Sequence, residues 1–158
     1  MPYLQLDVPS RYPVDVKRDL ARRLGESYAR IMQTRPELVT VAFRELGEGG
    51  VWCCGAGEPE PAALISCDIR RGRPPEQRAE LAQALIDACV DTLGLRSVVE
   101  FTQHTADEMY HAGRGWDTEW TPAEVTSERV RHQREQPGGS HGHHDQGQRR
   151  RSDGRCRR

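Results

Sequence analysis

The feature that most restricts this chain is a change of hydrophobic period that occurs twice in the same order. Residues 3–8 alternate, with Leu4, Leu6 and Val8 set against Tyr3, Gln5 and Asp7. A period of two is that of a strand with one buried face. Pro9, Ser10 and Pro13 form the connection, and Pro13 suits the first turn of a helix, where its missing N–H costs nothing. From Val14 the period lengthens. Leu20, Leu24, Tyr28, Ile31 and Met32 recur at helical spacing, while Lys17, Arg18, Arg22, Arg23 and Glu26 fall mostly elsewhere on the wheel. Pro36 marks the helix exit, and residues 38–46 return to strand period through Val39, Val41 and Phe43. Strand, helix, strand predicts two parallel strands joined by a right-handed crossover.

The order then repeats. Residues 64–69 read as a strand, 70–73 as a turn, and Pro74-Pro75-Glu76 as a helix opening. Leu81, Leu85, Ala88, Cys89 and Thr92 form the second apolar stripe, and Gly94 sits where a left-handed C-cap belongs. Residues 98–103 complete the unit. Pro2 corresponds to Ala63 and Val14 to Pro75, an offset of about 60 positions, so the repeat lies in element order rather than in letters. Four strands and two helices in this order predict an α+β fold, a two-layer sandwich of two consecutive β-α-β units with both helices on one sheet face. Nothing in the chain is left to cover the other face, which points to an oligomer.

The units divide the chain into repeat one at 2–46, a Gly- and Pro-rich linker at 47–61 with a short hairpin strand at Val51-Trp52-Cys53, and repeat two at 62–120. A helical turn with Thr105 as N-cap follows the fourth strand. Residues 121–136 form an extension. Residues 137–158, rich in Arg, Gln, Gly and His, lack the apolar content to fold. His141, His143 and His144 in this tail are compatible with metal binding or with simple solvation. The Arg-rich end lacks interleaved aromatic residues, so no nucleic-acid partner is expected.

At 158 residues the chain can bury roughly two-thirds of its unfolded surface, enough for a real core. Five cysteines with no CxxC pair and no zinc-ligand spacing fit a reduced, cytoplasmic protein. No apolar run reaches membrane-spanning length and no charged-then-apolar leader is present, so no membrane partner is expected. No phosphate-binding glycine loop or dinucleotide fingerprint appears, and no cofactor is expected.

Two places could carry chemistry. Removal of Met1 is favoured by a small second residue and would expose the secondary amine of Pro2 at the end of a strand. Such an amine titrates near neutrality, and desolvation or a nearby cation lowers it further, so it can act as acid, base or nucleophile. The second place is Ile69-Arg70-Arg71-Gly72-Arg73, followed by Pro74-Pro75-Glu76-Gln77-Arg78. Guanidiniums crowd a strand-to-helix turn just before a helix N-terminus, a site suited to a small carboxylate. A solvated basic turn paired with Glu76 is the other reading of the same residues.

The Pro2-initiated strand, the helix, the second strand and a second unit opening Ile-x-x-Gly-Arg-x-x-Glu-Gln together resemble the tautomerase superfamily. The length and the Met109…Gly113-Arg114 segment resemble its cis-3-chloroacrylic acid dehalogenase branch. The resemblance covers roughly residues 2–120. It implies a homotrimer with Pro2 as catalytic acid or base and with Arg70 and Arg73 binding a small carboxylate substrate. That branch also uses a His on the first helix, a Tyr on the last strand and a Glu after it; Tyr28, Glu100 and His111 stand at those positions as possible auxiliary residues. The water-activating pair therefore differs in kind, while the proline and two arginines remain. The resemblance implies a tautomerase or isomerase acting on a small 2-oxo or unsaturated carboxylate. Hydratase, decarboxylase or hydrolytic dehalogenase chemistry at the same site, or a non-catalytic trimeric relative, are the alternatives.

Overall fold

The computed structural model describes residues 2–111 together with 115 and 116. Strand β1 spans Tyr3–Val8, helix α1 Val14–Met32, β2 Thr40–Glu45, β3 Trp52–Cys53, β4 Glu60–Arg70, helix α2 Pro75–Leu93 and β5 Arg96–His104. A small hairpin follows, from β6 (Tyr110–His111) and β7 (Gly115–Trp116). The main sheet runs β2-β1-β4-β5, with β3 pairing the start of β4. Each unit is internally parallel: β1 with β2 from Tyr3↔Thr40 to Val8↔Glu45, and β4 with β5 from Ala62↔Arg96 to Arg70↔His104. The units meet antiparallel, Tyr3↔Asp68 through Asp7↔Leu64.

Both periodicities bury the side chains they predict. Leu4, Leu6 and Val8 of β1 and Ala63, Ile65, Cys67 and Ile69 of β4 lie under Leu20, Leu24, Tyr28, Ile31 and Met32 of α1 and Leu81, Leu85, Ala88 and Cys89 of α2. Burying such a set supplies the main drive to fold, at roughly 25 cal/mol per Å² of apolar surface. Gln33 closes α1 in the left-handed region (φ 54) and Gly94 closes α2 (φ 66), its N–H donating to the Val90 carbonyl at 2.9 Å. The helices run antiparallel: Gln77 Nε2 at the start of α2 donates to the Ile31 carbonyl near the end of α1 at 2.6 Å. Arg30–Glu80 and Arg23–Asp91 ion pairs continue the contact along the helices.

Several strand boundaries differ from expectation. Pro36–Leu38 is a 3-10 turn, closed by Val39 N–H to the Pro36 carbonyl at 3.0 Å, so β2 starts only at Thr40. Proline's fixed φ suits the first position of a helical turn better than a ladder. Strand β4 begins at Glu60, inside the expected linker, because Trp52↔Pro61 and Cys53↔Glu60 pairing extends it. Strand β5 runs two residues further back and one further forward than expected. The expected helical turn after it is a 3-10 turn at Ala106–Glu108, with a reciprocal capping box between Thr105 and Glu108.

The second sheet face carries a set of polar contacts. Tyr3 Oη donates to Gln5 Oε1 at 3.1 Å, Gln5 Nε2 to Asp7 Oδ1 at 3.1 Å, and Arg44 Nε lies 3.3 Å from Asp7 Oδ1. On the neighbouring strands Ser66 Oγ donates to Glu100 Oε1 at 3.0 Å. Leu64 and Val98 lie on the same face, with Val98 half exposed, so the face mixes hydrogen-bonded polar groups with apolar ones. The extension and tail expected at 121–136 and 137–158 lie outside the described residues.

Candidate functional site

The antiparallel β1/β4 register decides where the chemistry-bearing residues meet. With Tyr3 opposite Asp68, Pro2 comes alongside Ile69, one residue before Arg70 at the end of β4. The Pro2 carbonyl accepts from Thr40 N–H at 3.0 Å, which ties the residue to β2 as well. The parallel β4/β5 register sets His104 beside Arg70. Because the helices are antiparallel, the same end of the molecule also holds the last turns of α1 and the first turn of α2.

The strand-to-helix turn is built by three local features. Arg71 N–H donates to the His104 carbonyl at 2.8 Å and extends the ladder by one bond. Gly72 then adopts φ 102, a conformation that costs a side-chain-bearing residue strain. Arg78 Nη1 in the first turns of α2 donates to the Arg73 carbonyl at 2.7 Å and locks the reversal. The outcome is that Arg73 turns inward and is only 7% exposed, while Arg71 stays in solvent. A solvated basic turn does not describe Arg73.

Tyr28 lies 2% exposed on the buried stripe of α1. Burial pushes its hydroxyl far above the ordinary tyrosine range, Cys67 adds to that, and the positive charges of Arg73 and Arg70 pull the other way. It therefore stays a neutral O–H donor near these guanidiniums. Tyr28 is at once a core residue and a neighbour of the arginine turn.

Glu100 is exposed and bonded to Ser66, four residues before His104 on β5. At about 3.3 Å per residue it stands roughly 13 Å along the strand from the Arg70–His104 row. The backbone of His111 is in β6; its side chain, like Gly113 and Arg114, lies outside the described residues.

Sequence reading missed His104. Its imidazole lies across β4, with Nε2 3.7 Å from Asp68 Oδ2 and Nδ1 3.9 Å from Glu108 Oε2. The Glu108 carboxyl is lowered from the usual carboxylate range, chiefly by the Thr105 backbone N–H that donates to it at 2.8 Å, with the Thr105 hydroxyl adding to this. The only sequence signal was alternation along β5, which sets His104 on the same face as Glu100. Among the described residues, no group of three or more His, Cys, Asp and Glu is arranged to hold a metal ion. Among them also, no helix is long and apolar enough to cross a membrane.

Neither a family model nor a curated protein matches the sequence. Solved structures do match in fold. Pt0534 inactivated by 2-oxo-3-pentynoate is 24% identical, covering 73% of this chain and 94% of that one, with a TM-score of 0.63. N1, a member of the cis-3-chloroacrylic acid dehalogenase family, is 20% identical over 83% of this chain and 96% of that one, with a TM-score of 0.66. A fused 4-OT described as a wild-type symmetric trimer is 22% identical over 73% and 94%, with a TM-score of 0.63. The chain therefore shares the fold of these solved structures, a mixed α+β arrangement of β-α-β units as the sequence analysis expected.

Proposed function

We propose that this protein is a tautomerase-type enzyme using the amine of Pro2 as general acid and base on a small 2-oxo or unsaturated carboxylate. The observation that carries the reading is the β1/β4 register, which sets the amino end of β1 against the end of β4 where Arg70 and Arg73 project. Planar guanidiniums suit a carboxylate bidentately and stabilise the charge that develops on an enolate. Their positive field also disfavours a protonated amine beside them, which keeps Pro2 competent as a base near neutral pH. Tyr28 supplies a neutral donor at the same end. The pairing of an inward Arg73 with a strand-terminal amine supports an active site over a relic.

In this reading neutral Pro2 removes a proton α to the carbonyl, Arg70 and Arg73 hold the carboxylate, and the proton returns to a different atom. The assembly is a homotrimer, a reading supported by the trimer among its structural neighbours, and the protein acts in the cytoplasm without a cofactor.

The test begins with the intact mass of the purified protein, which should lack Met1; retention of Met1 sinks the mechanism. Ketonisation of phenylenolpyruvate or 2-hydroxymuconate should then fall sharply in Pro2→Ala and Arg73→Ala. The inactivator seen with Pt0534 adds a second arm. Its alkyne is conjugated to a ketone, so a neutral amine can add to it, and the expected adduct lies on Pro2. A full rate in both variants, with no adduct, refutes the reading.

A further inference from the structure

We infer that His104 is a second proton-carrying group of this site, with Asp68 as its positioning residue; the inference rests on the Pro2–Arg70–Arg73 reading above. Strands β1, β4 and β5 are adjacent in that order, so about 10 Å of sheet separates the backbone at Pro2 from that at His104. Arg70 stands on the strand between them and in register with His104. By backbone register, Arg70 therefore stands between the strand that Pro2 begins and His104.

The imidazole is also aimed. Nε2 approaches Asp68 Oδ2 at 3.7 Å, so the ring reaches from β5 to β4, two residues back from the Arg70–His104 row. Nδ1 faces Glu108 Oε2 at 3.9 Å. Glu108 is itself fixed by the Thr105 capping box, which stiffens this side of the site. Both separations exceed hydrogen-bond length, so neither carboxylate holds a ring nitrogen in a hydrogen bond. The His104 side chain is one-third exposed.

The substrate class that uses two such groups is a 2-hydroxy-2-alkenoate, the enol of a 2-oxo acid. His104 takes the proton of the enol hydroxyl, and the O–H electron pair becomes the second bond of the carbonyl. In the reverse of the step in which neutral Pro2 removes the α proton, the C=C pair then takes a proton from Pro2 in its ammonium form and forms the new C–H bond. Pro2 is left neutral and His104 protonated; solvent returns the proton from one to the other. The net change is an isomerisation, with no oxidant or co-reactant. In this scheme, Pro2 need not serve both oxygen and carbon.

The test uses the full chain with phenylenolpyruvate as probe. His104→Ala should lower kcat on the order of 10²-fold with little change in KM, the usual size of a lost proton-transfer group. Free imidazole added to His104→Ala should restore part of kcat, and should do nothing for Pro2→Ala. Asp68→Asn should lower kcat less, with a fold and secondary-structure spectrum unchanged from wild type. Wild-type activity that requires Pro2 but is unaltered in His104→Ala, or is lowered there with no response to imidazole, overturns this inference alone. Wild-type activity indifferent to Pro2 overturns the parent reading and this one with it.

Discussion

Gly72 offers the sharpest test of how the fold builds the site. Its φ of 102 lies where a side chain is strained, and it directs Arg73 back into the protein. Alanine there should destabilise the fold by about 1–3 kcal/mol, the usual cost of a residue held in a sparsely populated backbone region. For a domain of this size each kcal/mol lowers Tm by roughly 3–6 °C. The strain can also be relieved by reshaping the turn, which moves Arg73. A charge-assisted hydrogen bond contributes about 1.5–3 kcal/mol. Losing one to the substrate carboxylate would lower kcat/KM roughly 10- to 150-fold. The control is Gly94→Ala, also at positive φ (66), with nothing within 4 Å of an added Cβ and no link to the arginine turn. It should lower Tm by a similar or smaller amount and leave kcat/KM unchanged. Thermal unfolding and steady-state ketonisation of both variants decide the matter. If Gly72→Ala matches Gly94→Ala in both assays, the turn does not hold Arg73 for function and the reasoning fails.

Two further outcomes follow from the fold itself. Glu45 accepts from Tyr12 N–H at 2.8 Å and from Lys17 Nζ at 3.0 Å, and these bonds hold its carboxyl below the usual range. A folded-state value below the unfolded one adds stability that is present above the ordinary carboxylate range and is lost as pH falls through and below it. Glu45→Gln should therefore flatten the acid limb of a urea-midpoint profile; an unchanged limb contradicts the assignment. Cys54 is exposed, whereas burial raises the Cys67 thiol and pushes that of Cys89 up to about 11. Mass-resolved alkylation at neutral pH should label Cys54 promptly, and Cys67 and Cys89 only after denaturant is added.

Much of the fold is visible in local pattern. The stripe from Leu20 to Met32 and the alternation from Tyr3 to Val8 depend on each element's own period, and a period survives whatever the neighbours do. Gly94 and Thr105 were equally readable, because caps are chosen by backbone geometry within a few residues. Edges were less so: Pro36 began a 3-10 turn, and β4 was lengthened by β3, a partner that no property of residues 60–63 announces. Repetition of β-α-β and the basic turn at 70–73 were therefore determined by the sequence alone. Which strands became neighbours was decided by tertiary structure, since pairing is a contact between distant segments and its register leaves no local mark. That register brings Pro2 alongside Ile69, one residue before Arg70, and His104 into reach of Asp68. Local pattern says what each strand buries; only the assembled sheet says which strand ends lie side by side.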